Sequence, residues 1–108
     1  MAFQLSNFAS STLTVAITAV QLTIQVVDAS AFTPPSVGDV IPLVIEDVNG
    51  NTEIVYASAL SGDTFTITRG EEGTAPAAFT SGSRVECRLT AAVFASQLAA
   101  ANIDGGTF

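Results

Sequence analysis

Residues 64–89 impose the strongest constraint on this chain. Thr64, Thr66 and Thr68 alternate with Phe65 and Ile67, the period of a strand with one buried face. Arg69-Gly70 breaks the alternation, and Gly73 follows shortly after. A loop carrying Pro76, Ser81, Gly82 and Ser83 leads into a second alternating run. There Val85, Cys87 and Leu89 share one face, and Arg84, Glu86 and Arg88 share the other. All three basic residues of the chain, Arg69, Arg84 and Arg88, fall in this stretch.

Outside it the chain is acidic or apolar. Of 108 residues, 48% are hydrophobic and 12% charged, and the mean hydropathy is +0.50. One domain of this size buries roughly two-thirds of its unfolded surface. So much apolar material predicts a further face buried against other subunits. The longest apolar run, residues 13–27, is interrupted by Thr14, Thr18, Gln21, Thr23 and Gln25, so no transmembrane helix is expected. Residues 1–11 lack a basic segment and a compact apolar core, so no signal peptide is expected either. A net charge of −7 argues against nucleic acid and anionic membranes as partners. The lone Cys87 forms no internal disulfide and no zinc site, which is consistent with a reducing cytoplasm.

In chain order, residues 1–11 place Phe3, Leu5 and Phe8 among small polar residues. They are either a frayed tail or an arm that packs Phe3 and Phe8 onto a neighbouring subunit. Two strands are expected over residues 12–17 and 22–27, with Leu13, Val15 and Ile17 on one face of the first and Leu22, Ile24 and Val26 on one face of the second. The turn joining them, residues 18–21, has no glycine, asparagine or proline. Asp28 caps a short helical turn ended by Pro34-Pro35, and residues 36–39 form a tight turn. Residues 40–47 make a nearly continuously apolar strand in which Pro42 calls for an edge or a bulge. Asn49-Gly50 predicts a hairpin with both turn residues at positive φ. Strands over residues 53–60 and 64–68, joined by a turn at 61–63, complete a meander. Residues 90–101 form the one convincing helix, with Thr90 as cap. Its stripe of Val93, Phe94, Gln97, Leu98 and Ala101 packs on its own sheet or against copies of itself around an axis. Phe3, Phe8, Val93, Phe94 and Leu98 are thus the candidate subunit interface, and residues 102–108 a flexible tail.

Catalytic chemistry has little to work with. Without histidine or lysine, most acid–base and Schiff-base mechanisms are closed. Cys87 lies on the apolar face of its strand, as a buried structural thiol does. Asp47 to Glu53 superficially resembles a calcium loop but lacks its spacing and its terminal bidentate glutamate. Glu71 and Glu72 are adjacent loop carboxylates, expected to be solvated or paired with Arg69, Arg84 or Arg88. Gly70 and Gly73 do not make a phosphate loop, since no Gly-Lys-Ser follows. No enzyme activity, metal or cofactor is expected. Gly70 and Gly73 permit sharp turns, and Arg69 is expected to order the loop by bonding its carbonyls or Glu71 and Glu72.

The motif Arg69-Gly70-Glu71-Glu72-Gly73-Thr74, then Ala77-Ala78, Ser81-Gly82-Ser83-Arg84-Val85 and Arg88-Leu89-Thr90-Ala91 resembles a small β-domain of tailed-bacteriophage virion proteins. Ser11-Thr12-Leu13 and Glu53-Ile54-Val55 fit the same pattern, so the resemblance covers most of residues 11–93. It implies a structural role in a tail, baseplate or fibre-attachment region, in a virion assembled in the host cytoplasm, with other virion proteins as partners. Long members continue into fibre or receptor-binding domains, whereas this sequence stops soon after the helix. That departure favours an adaptor, plug or small decorating subunit. The expected architecture is all-β, a small sandwich or partly open barrel of about six strands with one C-terminal helix. Its parts are an arm over residues 1–11, a β-domain over 12–89, a helix over 90–101 and a tail over 102–108. A homo-oligomer is expected, a trimer first. The rival readings are a capsid decoration or head-fibre protein, and a stand-alone carbohydrate-binding module. The last is disfavoured by the absence of tryptophan and the single tyrosine, Tyr56.

Overall fold

The computed structural model describes Phe3 and residues 9–88. Six strands run β1 (Ser10–Thr12), β2 (Thr23–Gln25), β3 (Ile41–Glu46), β4 (Thr52–Ser61), β5 (Thr64–Glu71) and β6 (Arg84–Cys87). They form one sheet in the order β1-β6-β3-β4-β5-β2, with every pair antiparallel. The sheet curls into a half-barrel rather than a sandwich. A bridge between Leu13 and Val26 draws its two edge strands together. Thr14 N donates to Gln25 O and Val27 N to Thr12 O, both at 2.9 Å, to make that seam.

The expected hairpin over residues 12–27 is therefore not formed. Its two halves lie at opposite ends of the strand order and meet only at the seam. The physical reason is local. The chain bends at Thr14 and Val15, and Ile17 leaves to bridge Phe79 instead. Without a tight-turn dipeptide, nothing over residues 18–21 holds the two runs in register. Val15 and Leu22, expected on the inner face, are 48% and 57% exposed.

The meander β3-β4-β5 is present. Its first turn differs from the expectation. Gly50 N donates to Asp47 O and Asp47 N to Asn51 O, both at 3.1 Å, so the loop has three residues and turns about Val48-Asn49. Only Gly50 takes a positive φ, 84°, as the last residue of that loop. Pro42 is neither on an edge strand nor in a bulge. It pairs with Tyr56 of β4 but lies one residue beyond Leu43, the last β3 residue paired to β6. The missing donor therefore costs no ladder bond.

Alternation explains the core. Ile41, Leu43 and Ile45 of β3, Val55 and Ala57 of β4, Phe65 and Ile67 of β5 and Val85 of β6 all join one buried cluster. The Phe32 and Phe65 rings meet edge-to-face, 5.1 Å between centroids. Asp28 Oδ1 accepts from Ser30 N at 2.9 Å and so caps the single turn that delivers Phe32. Strand β3 reads as continuously apolar because its other face is covered too: Val40, Pro42 and Val44 are buried outside that cluster. Phe3 sits on this outer side. It bridges Val40 and stacks edge-to-face on Tyr56 at 5.1 Å, so its ring packs within its own chain. The expected helix over residues 90–101, the tail, and the candidate interface residues Phe8, Val93, Phe94 and Leu98 lie outside the described residues. Phe65→Ala should cost about 3–5 kcal/mol, the loss of a fully buried ring plus the cavity it leaves; urea titration of the two proteins measures the difference.

Candidate functional site

The alternation that builds the core also carries two charges inward. Glu53 falls on the same face of β4 as Val55 and Ala57, and Arg69 on the same face of β5 as Phe65 and Ile67. The Glu53 side chain is 0% exposed and that of Arg69 is 5%. Burying two such ions is costly unless every polar atom is matched. Here they are. Glu53 Oε2 accepts from Arg69 Nε at 2.8 Å and Gly70 N at 2.9 Å. Glu53 Oε1 accepts from Arg69 Nη2 at 2.8 Å and Ala77 N at 2.9 Å. Arg69 Nη2 also donates to Ala77 O at 2.6 Å, and Nη1 donates to Thr18 O at 2.7 Å and Gln21 O at 2.8 Å. A guanidinium has five N–H donors in a fixed fork, and this one engages all of them. Burial pushes the Glu53 carboxyl up, but the bonds from Arg69, Gly70 and Ala77 outweigh it and hold the group below the ordinary glutamate range.

The carbonyl partners expected for Arg69 are therefore found, on the 74–79 loop and on the 18–21 turn. Its carboxylate partner is Glu53, which the sequence reading did not single out. Glu71 and Glu72 bond elsewhere. Glu71 Oε2 accepts from Thr68 Oγ1 at 2.7 Å, and Glu72 Oε2 accepts from the Tyr56 hydroxyl at 2.8 Å. Burial and the Glu72 carboxylate push the Tyr56 phenol well above its ordinary value.

The motif Arg69 to Thr74 is a run of backbone devices. Arg69 and Gly70 together oppose Val55 in the β4–β5 ladder, a bulge that Gly70 makes at φ 61°. A Cβ on Gly70 would lie 2.9 Å from Pro76 Cδ and 3.0 Å from Thr74 O, so the loop closes over a position that only glycine fits. Thr74 N then donates to Glu71 O at 3.1 Å, with Glu72 at φ 56° and Gly73 at φ 83° between them. Positive φ at both centres defines a type I′ turn. Thr74 Oγ1 accepts from Ile54 N at 3.0 Å and donates to Glu71 O at 2.8 Å, taking a strand's place beside β4.

The other two arginines lie on the outer face. Arg88 bonds Glu86 at 2.6 Å and Glu46 at 3.1 Å, and Arg84 bonds Glu86 at 3.2 Å. These exposed pairs stabilise little each. An open cleft of about 300 Å³ adjoins them, lined by Thr12, Glu46, Asp47, Val48, Gly82 and Arg84. Cys87 packs half-buried against the core. Comparison with protein-family models and with curated proteins finds no match for the chain.

Removing one member of the buried pair strands the other. Glu53→Leu or Arg69→Met should each cost about 3–5 kcal/mol, and the double variant markedly less than their sum. Urea titration of the four proteins in a double-mutant cycle reads the coupling. The acid side carries a second expectation. A carboxyl held low in the folded state stabilises it fully above the unfolded value, near 4.5 for glutamate, and loses that contribution as pH falls through the folded value. Asp28, Asp47 and Glu86 are also held low, by their bonds to Ser30, Asn51 and Arg88 respectively, and act in the same sense. Stability should therefore fall with acidification below about pH 4.5, and the Glu53→Leu/Arg69→Met protein should show a shallower fall. Thermal melts across a pH series measure both slopes.

Proposed function

We propose that this chain is a non-enzymatic structural subunit of a tailed-bacteriophage particle, an adaptor of the tail, baseplate or fibre-attachment region that works as a homo-oligomer among other virion proteins. The observation that carries this reading is the Glu53–Arg69 centre. Every hydrogen-bonding position of the pair is committed to the fold, so Arg69, which opens the motif that resembles virion β-domains, serves to brace loops and has no donor left for a substrate. The brace has an outward consequence. Arg69 fixes the turn over residues 18–21 by two of its carbonyls, and that turn and the residue after it hold Val20 82% exposed and Leu22 57% exposed. Apolar side chains presented on a rigid support suit a permanent contact.

The finer architecture we propose keeps a helix over residues 90–101. The single tyrosine supports the structural reading over a carbohydrate-binding one. Tyr56 is buried beneath Phe3 with its hydroxyl bonded to Glu72, so its ring offers no platform to a sugar.

Light scattering over a range of concentrations should give a stable trimer or larger ring, and Val20→Asp, at an exposed turn position, should weaken it without lowering the melting temperature. Antibody labelling of purified particles should mark the tail or its baseplate; labelling of the head would favour the capsid-decoration reading. A chain that stays monomeric and is absent from particles overturns the proposal.

A further inference from the structure

The tip of the β3–β4 hairpin carries a chemically reactive pair. Asn49 and Gly50 are both exposed there. Nothing lies within 4 Å of the position a Gly50 Cβ would take, so neither a side chain nor a neighbour screens the Gly50 nitrogen from the amide that precedes it. Among the described residues the Asn49 side-chain amide has no hydrogen-bond partner; only its backbone N–H is held, by Asp47 Oδ1 at 2.9 Å. Asn51 is the built-in contrast. Its Nδ2 donates to Asp47 Oδ2 at 2.9 Å, and the residue after it is the β-branched Thr52, which crowds the corresponding nitrogen.

We propose that Asn49 is a site of spontaneous deamidation, with water as the only co-reactant. The Gly50 backbone nitrogen, once it has given up its proton, attacks Asn49 Cγ. The new nitrogen–Cγ bond forms as the Cγ–Nδ2 bond breaks, and the amide nitrogen leaves as ammonia. Water then opens the five-membered imide at one of its two carbonyls and leaves a normal or a β-linked aspartyl unit. No electrons are exchanged with any other group.

The fold gates this reaction. Gly50 N–H is committed to Asp47 O at 3.1 Å, and Asp47 Oδ1 holds the backbone N–H groups of Asn49 and Asn51 at 2.9 Å each. The nitrogen becomes available only when the loop opens, so Asp47 sets the rate as a positioning residue. The product matters locally. A new carboxylate lands two residues from Asp47 and next in sequence to Val48, both of which line the open cleft. A β-linked product lengthens the main chain of a three-residue loop, which then cannot keep the Asp47–Asn51 closure as it stands.

The test is incubation of the full chain in water enriched in heavy oxygen at mildly alkaline pH, followed by peptide mass spectrometry. Heavy oxygen should enter at Asn49 and not at Asn51, and Asp47→Ala should take it up several-fold faster at Asn49. The chain unfolded in denaturant serves as the positive control. Labelling of the unfolded control with none at Asn49 in either folded protein overturns the proposal, as does equal labelling at Asn49 and Asn51.

Discussion

A carboxylate and a guanidinium sealed inside one end of a curled sheet set the terms for the rest of this structure. Transferring two ions out of water costs several kcal/mol each, and their attraction repays it only when the remaining lone pairs and protons are also bonded. Glu53 and Arg69 meet that condition by recruiting backbone from four places: the β5 bulge at Gly70, the Ala77 loop, and the carbonyls of Thr18 and Gln21. Two apolar side chains of similar volume would fill the same space. They would not tell the 18–21 turn or the 74–79 loop where to lie. The pair's contribution is conformational definition in segments with few regular ladder bonds.

The loop that follows shows the same economy of parts. Gly70 bends the chain so that Arg69 can face inward at the end of its strand. Glu72 occupies a left-handed position where glycine or asparagine would be unstrained, at a cost of about 1–2 kcal/mol. Its carboxylate offsets that cost by accepting from the hydroxyl of Tyr56, whose ring supports Phe3. Thr74 closes the arrangement by offering its hydroxyl to Ile54 N, which would otherwise face a gap in the sheet. Phe3, β4 and the loop thus meet at one tyrosine, through a ring contact on one side and a hydrogen bond on the other.

Much of this was legible in the residues. Period-two alternation locates the meander and the inward sets of β5 and β6, though not those of β3 and β4, and it points to Arg69 near the end of β5 as a brace. Glu53 is missing from that reading, although the same alternation contains it. Glu53-Val55-Ala57 and Phe65-Ile67-Arg69 each end an apolar face in a charge, and the charges are opposite on neighbouring strands. The available signal is a polar residue on an apolar face, a weak one because glutamate is ordinarily exposed. The hairpin expected over residues 12–27 failed for a different reason. Alternation there places Leu13, Ile17, Ile24 and Val26 inward but fails at Val15 and Leu22, and it says nothing about which strand is the partner; β1 pairs with β6, and β2 with β5, through contacts remote in sequence. The hairpin expected at Asn49-Gly50 is present, but its turn is centred one residue earlier, on Val48-Asn49, with the Asp47 carboxylate binding the loop backbone.

The charge distribution follows from how the arginines are used. Arg69 is buried against Glu53, and Arg84 and Arg88 are drawn to Glu86 and Glu46 on the outer face. The positive charges are thereby neutralised within the chain, and the net −7 is left to the remaining acidic groups. Identical copies brought together through their acidic surface repel one another, over a distance set by a Debye length of about 8 Å at physiological salt. A contact between copies must therefore centre on apolar side chains standing clear of carboxylates. Val20 and Leu22 are exposed apolar side chains in a part of the sequence without acidic residues before Asp28, and the turn that presents them is held by the buried arginine. A partner of different sequence is free to be basic at its rim, and long-range attraction then steers it toward this chain before any apolar contact forms.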